Sequence, residues 1–269
     1  MSIAARLLKS VCYSSRPQWD DSGHLSCSSQ GKHPQVPSLE DRFGPDIWAR
    51  LKGKRVLDFG CGYGTDVRAC ASHGISAAGL EARQFLVDGA RQRAEKSGAD
   101  CLFYHTSDCP SLAGAFDCIL SVNCFEHYLD PGGVLESMRQ LLKPTGVVLA
   151  YFSPPWLHPY GAHSQQMTAL PWIHLIFPES AVMSVRAEYY DEKPTSYQEA
   201  AGGLNRMTIA KFKRTVVNSP FVFRSFELLA IRKLNTMTKI PAVRELFTTA
   251  VRAELALRES AEQPAPRLR

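Results

Sequence analysis

A run of glycines between an apolar stretch and a helical pattern offers the clearest chemistry in this 269-residue chain. Residues 56–66 read VLDFGCGYGTD, with glycines at the alternate positions 60, 62 and 64. Glycine has no Cβ and adopts positive φ readily, so a ligand can lie directly against this backbone. A helix that begins just after the loop also presents unpaired N–H groups in its first turn. The stretch therefore predicts a strand, a loop and a helix that bind a nucleotide-like ligand.

An acidic residue at the end of the next strand supports a ligand that contains ribose. Glu81, in the stretch GISAAGLEA, follows Asp58 by 23 residues. In dinucleotide-binding units the acid that binds the ribose lies roughly 20 residues beyond the glycine loop. Dehydrogenases of that kind carry G-x-G-x-x-G, whereas this chain carries G-x-G-x-G with Asp58 two residues ahead of the first glycine. A dehydrogenase remains an alternative, to be distinguished by whether NAD binds.

The glycine pattern with Asp58 resembles motif I of the class I S-adenosylmethionine-dependent methyltransferases. In that family the acid at the position of Asp58 lies near the methionine moiety, and the acid at the position of Glu81 holds the ribose. Two later stretches are similar to the same family: NCFEHYLDP after the fourth strand and LLKPTGVVLAYF around the fifth. The resemblance covers about residues 40–155 and implies S-adenosyl-L-methionine as the cofactor.

The resemblance also implies which residues bind the cofactor at the carboxyl ends of the strands. The third strand, CLFYHTSD, is expected to end at Asp108, which with its neighbour Ser107 would reach the adenine amino group. Residues at the end of the fourth strand are expected beside the methionine moiety. The predicted set is Asp58, Gly60, Cys61, Gly62, Gly64, Glu81, Ala82, Ser107, Asp108, Ser121 and Asn123.

Strand and helix patterns alternate along the chain and predict an α/β fold. Parallel strands with right-handed crossovers place the loops after each strand on one edge of the sheet. The resemblance implies a Rossmann-like, doubly wound seven-stranded sheet, mostly parallel with an antiparallel last strand, in the order 3-2-1-4-5-7-6. We expect residues 143–146 to form the turn before the fifth strand and Thr208 to cap a later helix. The methyltransferase domain is expected over residues 40–259, with an acceptor-side insertion at about 153–207 and a disordered tail at 260–269.

Residues 1–39 are expected to precede this domain as an amphipathic segment and a flexible linker. Ile3, Leu7, Leu8 and Val11 recur at helical spacing among basic residues. The segment fits a helix that packs over the cofactor site, a mitochondrial presequence, or a basic helix on a membrane surface. We favour the lid or interface helix and keep peripheral membrane contact as a partner prediction.

The insertion follows a strand end at the cofactor edge and is expected to roof the acceptor pocket, because long insertions in compact domains are usually functional. His127, just past the fourth strand, and His163, in the roof, are the candidate general bases. Arg206 is a candidate for holding an anionic group of the acceptor. Four aromatic residues offer flat surfaces to an aromatic or prenylated acceptor, or simply pack the roof: Trp156, Tyr160, Trp172 and Phe177.

The histidines of the insertion raise the alternative of a metal site. His158, His163 and His174, together with Glu179, carry metal-ligating atoms. We assign no metal, because His158 and His163 lie among prolines and glycine without a helix to hold their geometry.

Composition narrows the class of protein. The hydrophobic share of 45% and charged share of 21% are those of an ordinary soluble globular protein, and no apolar run reaches the ~18 residues that cross a bilayer. Eight cysteines without a C-x-x-C pair predict reduced thiols in a cytoplasmic protein. The net charge of +5 is concentrated in the last third of the chain without any run of like charges, which favours scattered solvated charge.

The leading hypothesis is a methyltransferase (EC 2.1.1.-) that methylates an oxygen or carbon of a small-molecule acceptor. We expect no nucleic acid partner and leave the oligomeric state open. An RNA or protein methyltransferase is one alternative, although the chain reads NCFEH where an N-P-P-Y-like sequence for exocyclic amines would stand. A non-catalytic scaffold that binds the cofactor is the other.

Overall fold

The computed structural model describes residues 1–14, 18–19, 25–26, 37–190, 193–200 and 202–258. A seven-stranded sheet forms its centre, in the order β3-β2-β1-β4-β5-β7-β6. The strands are β1 (Arg55–Phe59), β2 (Ser76–Glu81), β3 (Leu102–His105), β4 (Phe116–Val122), β5 (Leu142–Phe152), β6 (Phe221–Ala230) and β7 (Thr248–Leu257). Strands β1 to β5 are parallel, and β7 lies antiparallel between β5 and β6. The predicted fold class and strand order are confirmed.

Helices connect the strands and cover both faces of the sheet. They are α1 (Ile3–Ser10), α2 (Leu39–Phe43), α3 (Ile47–Leu51), α4 (Thr65–Ser72), α5 (Gln84–Ser97), α6 (Pro131–Leu141), α7 (Ile173–Ile176), α8 (Glu179–Tyr190), α9 (Ile209–Val217), α10 (Asn235–Thr238) and α11 (Arg244–Phe247). Thr208 caps α9 by accepting a hydrogen bond from the Lys211 N–H at 3.0 Å, as predicted. Within the residues that the structure describes, every helix is too short or too polar to cross a bilayer.

The core lies on both faces of the sheet. Along β4, Ile119 faces a cluster with Phe125, Phe152 and Phe212, whereas its neighbour Leu120 belongs to a separate buried cluster. A parallel strand covered on both faces needs apolar residues at consecutive positions, which explains the unbroken run CIL within β4. This sheet holds the ends of β1, β2 and β4 in fixed positions along one edge.

Two element boundaries differ from the sequence prediction. Strand β3 ends at His105 and not at Asp108, because the chain turns into a 3-10 helix at Thr106–Leu112. The Asp108 carboxylate accepts the His105 N–H at 3.0 Å and stabilises this turn. Residues 143–146, predicted as a turn before the fifth strand, lie within β5 as a bulge. The pairing with β4 passes from Phe116 with Leu142 to Cys118 with Val147.

The N-terminal helix α1 packs against α8. Of the apolar residues at helical spacing, Leu8 is buried, whereas Ile3, Leu7 and Val11 are exposed; Ala5 is buried beside Leu8. The packing of α1 over the cofactor site stays a prediction. The segment after α1 is also tied to the insertion, because the Val11 carbonyl accepts the Thr168 hydroxyl at 2.7 Å. Peripheral membrane contact through this helix stays a prediction.

The predicted linker and tail lie largely outside the described residues. Within the linker, residues 18–19 and 25–26 pair as a short antiparallel ladder. The tail at 260–269 is not part of the described structure. The cysteines of the described ranges are free thiols, as predicted: Cys12, Cys61, Cys70, Cys101, Cys109, Cys118 and Cys124.

We expect the Leu8→Ala variant to lose about 2–4 kcal/mol of unfolding free energy, because truncation of a fully buried leucine leaves a cavity. Leu7→Ala provides a matched control on the exposed face of the same helix and should change stability by less than about 0.5 kcal/mol. Urea denaturation followed by tryptophan fluorescence measures both. Equal losses in the two variants would contradict the packing of α1 on α8.

Candidate active site

The glycine loop after β1 has the backbone geometry that its sequence predicts. Gly60, Gly62 and Gly64 have φ values of 86°, 52° and 72°, in the left-handed region. A Cβ added at Gly60 would lie 2.6 Å from Cys124 Sγ, whereas a Cβ added at Gly62 would meet nothing within 4 Å. Gly60 is therefore packed against the loop after β4, and Gly62 faces open space where a ligand can approach. The Cys61 side chain turns away and is buried over Gly79.

The Glu81 carboxylate anchors this loop from the end of β2. Its Oε2 accepts the Gly62 N–H at 3.1 Å, and its Oε1 accepts the N–H groups of Ala82 and Arg83, each at 3.1 Å. Glu81 is only 6% exposed. A carboxylate offers about four acceptor positions, two on each oxygen, so one position remains on Oε2 for a ribose hydroxyl. The position predicted for ribose binding thus carries a fixed acceptor.

A buried charge cluster lies beneath the glycine loop. Asp58 is buried, and its pKa is raised well above the ordinary range, first by burial and then by the negative charge of Asp66. Arg42, which is 3% exposed, opposes the shift and donates to the Asp66 carboxylate at 2.7 Å. Sequence reasoning missed Arg42 because it arrives from α2, ahead of the strand that carries Asp58.

The residues predicted for the adenine end lie in the turn after β3. Ser107 is exposed, and its hydroxyl lies 2.9 Å from His105 Nδ1. The other ring nitrogen of His105 lies 2.8 Å from the Ala82 carbonyl oxygen. His105, which the sequence did not single out, therefore joins the ends of β2 and β3.

At the end of β4, the two predicted residues differ in their access to ligand. Ser121 is fully buried, and its hydroxyl lies 3.0 Å from the Tyr128 hydroxyl, so it supports the loop from inside. Asn123 is exposed with a φ of 51°, and its N–H donates to the Tyr151 carbonyl at 2.7 Å. Cofactor contact by Ser121 and Asn123 stays a prediction.

The two predicted bases, His127 and His163, lie side by side at the loop after β4, next to the carboxylate of Glu126. The ring centroids of His127 and His163 are 5.3 Å apart. One ligand-type atom from each of Glu126, His127 and His163 lies within 4.8 Å of the others. Glu126 is 2% exposed, and neither of its carboxylate oxygens makes a hydrogen bond of ordinary geometry to any described residue. Sequence reasoning did not assign Glu126, although its position directly before His127 was the available signal.

Burial shifts the proton affinities of this cluster. Burial raises the pKa of Glu126, against opposing effects of His127 and of the backbone N–H groups of Glu126 and Ser153. Burial also lowers the pKa of His163 to about 3, with smaller effects of the same sign from His127 and Arg186. His163 is therefore a neutral imidazole at neutral pH.

Comparison with known proteins decides the family. The family model described as "Methyltransferase domain" matches residues 35–191, more than half of the chain. The chain belongs to the class I S-adenosylmethionine-dependent methyltransferases. The methyl donor of this methyltransferase is S-adenosylmethionine, as the glycine loop and Glu81 predicted.

Curated relatives match the methyltransferase over part of its length. It is 37% identical over 101 residues to the ubiquinone biosynthesis O-methyltransferase of Dinoroseobacter shibae, a match that covers 37% of this chain and 41% of that protein. The corresponding protein of Methylocella silvestris is 32% identical over 123 residues, covering 44% of this chain and 46% of that protein. The chain thus spans less than half the length of these relatives.

Solved structures agree with the fold. An S-adenosylmethionine dependent methyltransferase from Mesorhizobium loti superposes with a TM-score of 0.52 at 19% identity, over 79% of this chain and 96% of that one. A protein of echinomycin biosynthesis, studied in the conversion of a disulfide bond into a thioacetal group, gives a TM-score of 0.54 at 16% identity, over 90% and 85%.

The insertion of the methyltransferase is fastened to the loop that carries Glu126 and His127. Asn205 Nδ2 donates to the carbonyls of Phe125 at 2.7 Å and Tyr128 at 2.6 Å, and its backbone N–H donates to the Glu126 carbonyl at 2.9 Å. His127 Nδ1 lies 2.5 Å from the Gly203 carbonyl oxygen. The GGLN sequence at residues 202–205 therefore holds the roof against the end of β4.

The other predicted metal ligands of the insertion do not join His163. His158 Nδ1 accepts the Tyr160 N–H at 3.0 Å, and His174 Nε2 lies 2.7 Å from the Trp156 carbonyl oxygen. Glu179 pairs with Arg206 at 2.6 Å. Arg206, predicted to hold an anionic group of the acceptor, therefore already has a carboxylate partner.

The aromatic residues of the roof make internal contacts, which favours the packing interpretation. Trp156 stacks edge-on against His174 and Tyr197, with centroid distances of 4.6 and 4.9 Å. The Tyr160 hydroxyl donates to the Ala169 carbonyl at 2.8 Å, and Trp172 Nε1 donates to the Leu157 carbonyl at 3.1 Å. Phe177 packs against the buried cluster shared with α1 and α8.

Proposed function

We propose that this methyltransferase methylates a hydroxyl oxygen of a small-molecule acceptor of the aromatic or prenylated class. The observation that carries the proposal is the cluster of Glu126, His127 and His163, which offers proton acceptors beside the loop predicted to hold the methionine end. Partial identity to ubiquinone biosynthesis O-methyltransferases supports oxygen as the methylated atom.

Methyl transfer is an in-line displacement, so the protein must hold the acceptor oxygen in near-attack geometry. S-adenosylmethionine supplies an electrophilic methyl group on its sulfonium when bound. The chain contributes the fixed glycine loop on one side and the roof on the other. As the acceptor oxygen forms its bond to the methyl carbon, its proton passes to a basic group of the cluster. Glu126 suits this role because burial raises its proton affinity above that of an exposed carboxylate.

The roof also favours a small acceptor over RNA or protein. Residues 202–205 close directly on the loop after β4 through the hydrogen bonds of Asn205 and His127. A macromolecular acceptor needs an open groove at this edge, because its target group must reach the methyl group while the remainder of the polymer stays outside.

The test is methyl transfer from labelled S-adenosylmethionine to a panel of acceptors: a catechol, a simple phenol, an acidic carbon compound and total RNA. We expect label in the phenolic compounds. We expect Glu126→Gln to lower kcat by about 100-fold, in the usual range for loss of acid–base assistance, while the Kd for S-adenosylmethionine stays unchanged.

His174→Gln is the matched control, because glutamine can still donate to the Trp156 carbonyl that His174 contacts. This variant should retain turnover. Label in the carbon acid would favour C-methylation, and label in RNA would favour a macromolecular acceptor. Tight cofactor binding without transfer to any acceptor would favour a scaffold.

A further inference from the structure

The cluster of Glu126, His127 and His163 has an unusual pattern of hydrogen bonding for buried polar groups. Buried carboxylates almost always have partners, because an unpaired one costs several kcal/mol. Neither Glu126 oxygen makes a hydrogen bond of ordinary geometry to a described residue, and the buried Nε2 of His163 has no partner among those residues. The three groups lie close together, yet they do not satisfy one another. A cation that is coordinated by both oxygen and nitrogen atoms would account for this arrangement.

The orientation of His127 adds a second argument. Its Nδ1 lies 2.5 Å from the Gly203 carbonyl oxygen, so Nδ1 carries the proton and Nε2 keeps its lone pair. Histidines that bind metals typically donate their other N–H to a backbone carbonyl or carboxylate in this way. Gly203 belongs to the segment that Asn205 fastens to the same loop, so the ring of His127 is held in place.

We propose that Glu126, His127 and His163 bind a divalent transition-metal ion. One carboxylate with two neutral imidazoles is the donor set of catalytic zinc sites and of related first-row metal sites with open positions. The ligand atoms lie within 4.8 Å of one another, and ligands stand roughly 2.0–2.2 Å from such an ion. The nitrogen ligands favour Zn²⁺, Fe²⁺ or Co²⁺ over Mg²⁺ and Ca²⁺.

The local charge indicates what completes the coordination. Glu126 alone leaves one positive charge on a divalent ion. A deprotonated hydroxyl of the acceptor would supply the second negative charge. Coordination to a metal lowers the pKa of a bound hydroxyl, so the ion would take over part of the role given above to a general base. This role rests on the proposed function, whereas the binding of the metal does not.

The test is titration of the full-length protein with Co²⁺ after treatment with a chelator, in the presence of saturating S-adenosylmethionine and without acceptor. We expect one equivalent to produce visible absorption bands without the thiolate charge-transfer band that cysteine ligands would give. Zn²⁺ should displace the Co²⁺. Glu126→Gln and His163→Ala should each weaken Co²⁺ binding by about 100-fold or more, since even indirect partners of metal ligands contribute 10–100-fold.

His174→Gln is again the matched control and should bind Co²⁺ as the wild type does. The Kd for S-adenosylmethionine, measured for each variant, shows whether the fold is intact. Two results would overturn the metal proposal. In one, both cluster variants bind Co²⁺ as tightly as the wild type; in the other, the wild type shows no saturable Co²⁺ binding.

Failure of this proposal and failure of the proposed function give different results. If phenols are still methylated in excess chelator, the proposed function stands and the metal has no part in the reaction. The Co²⁺ titration alone decides whether the metal binds. The opposite result is also possible to recognise. If the protein binds Co²⁺, loses that binding in the cluster variants and methylates no phenolic compound, the metal proposal stands and the proposed function fails.

Discussion

Replacement of Glu81 by alanine is expected to weaken S-adenosylmethionine binding by about 100-fold. A hydrogen bond to a charged partner contributes roughly 1.5–3 kcal/mol, so the bond from a ribose hydroxyl to Oε2 accounts for a loss of that order. The variant also releases the Gly62 N–H, which Glu81 Oε2 holds at 3.1 Å. The loop then loses a fixed contact on the side that faces the ligand. Both effects act on the same measured Kd.

Isothermal titration with S-adenosylmethionine measures this loss. Asp88→Ala is the control: Asp88 lies in the helix that follows β2, and its exposed carboxylate contacts only other residues of that helix, Gln84 at 2.9 Å and Arg91 at 3.7 Å, among those described. That variant should bind the cofactor normally. NAD should bind neither protein. Normal cofactor binding by Glu81→Ala would show that the ribose is held elsewhere.

The fold could be predicted from the sequence because its signals are local. Apolar runs, glycines and helical periodicity repeat along the chain in the order in which the parallel strands enter the sheet. The resemblance supplied the strand order, including the antiparallel β7. The boundary errors arise where a side chain competes with the strand. Asp108, for example, bonds the His105 N–H and turns the backbone into a 3-10 helix.

The site was only partly predictable, because its remaining groups meet through long-range contacts. His127 and His163 were chosen separately and are brought together by the GGLN segment at residues 202–205. No sequence pattern marks Glu126 as a site residue. It becomes a candidate only in the structure, where its carboxylate is buried and makes no hydrogen bond of ordinary geometry to a described residue. Arg42 contacts Asp66 from an element before the domain's first strand. No spacing rule relates such residues in advance of the fold.

Residues 202–205 also link the roof to the loop that carries Glu126 and His127. Asn205 is 5% exposed, and its side-chain amide donates to two carbonyls of the loop that carries Glu126 and His127. The amide thus serves as a positioning group for that loop. Loss of the amide leaves both carbonyls buried and unpaired.

We therefore expect Asn205→Leu, which keeps the volume but removes the donor, to lower the free energy of unfolding by about 2–5 kcal/mol, at roughly 1–3 kcal/mol for each unpaired carbonyl. Denaturant titration measures this loss, and Asn218→Leu, the same change at the exposed end of α9, should cost less than about 0.5 kcal/mol. In the folded fraction of Asn205→Leu, kcat should fall by more than 100-fold, because displacement of a catalytic group by 1 Å is sufficient for such a loss. The Kd for S-adenosylmethionine should change little, since Glu81 and the glycine loop belong to β1 and β2. A variant that is destabilised but keeps its kcat would show that the roof contributes stability alone, and that the loop after β4 holds Glu126 and His127 without it.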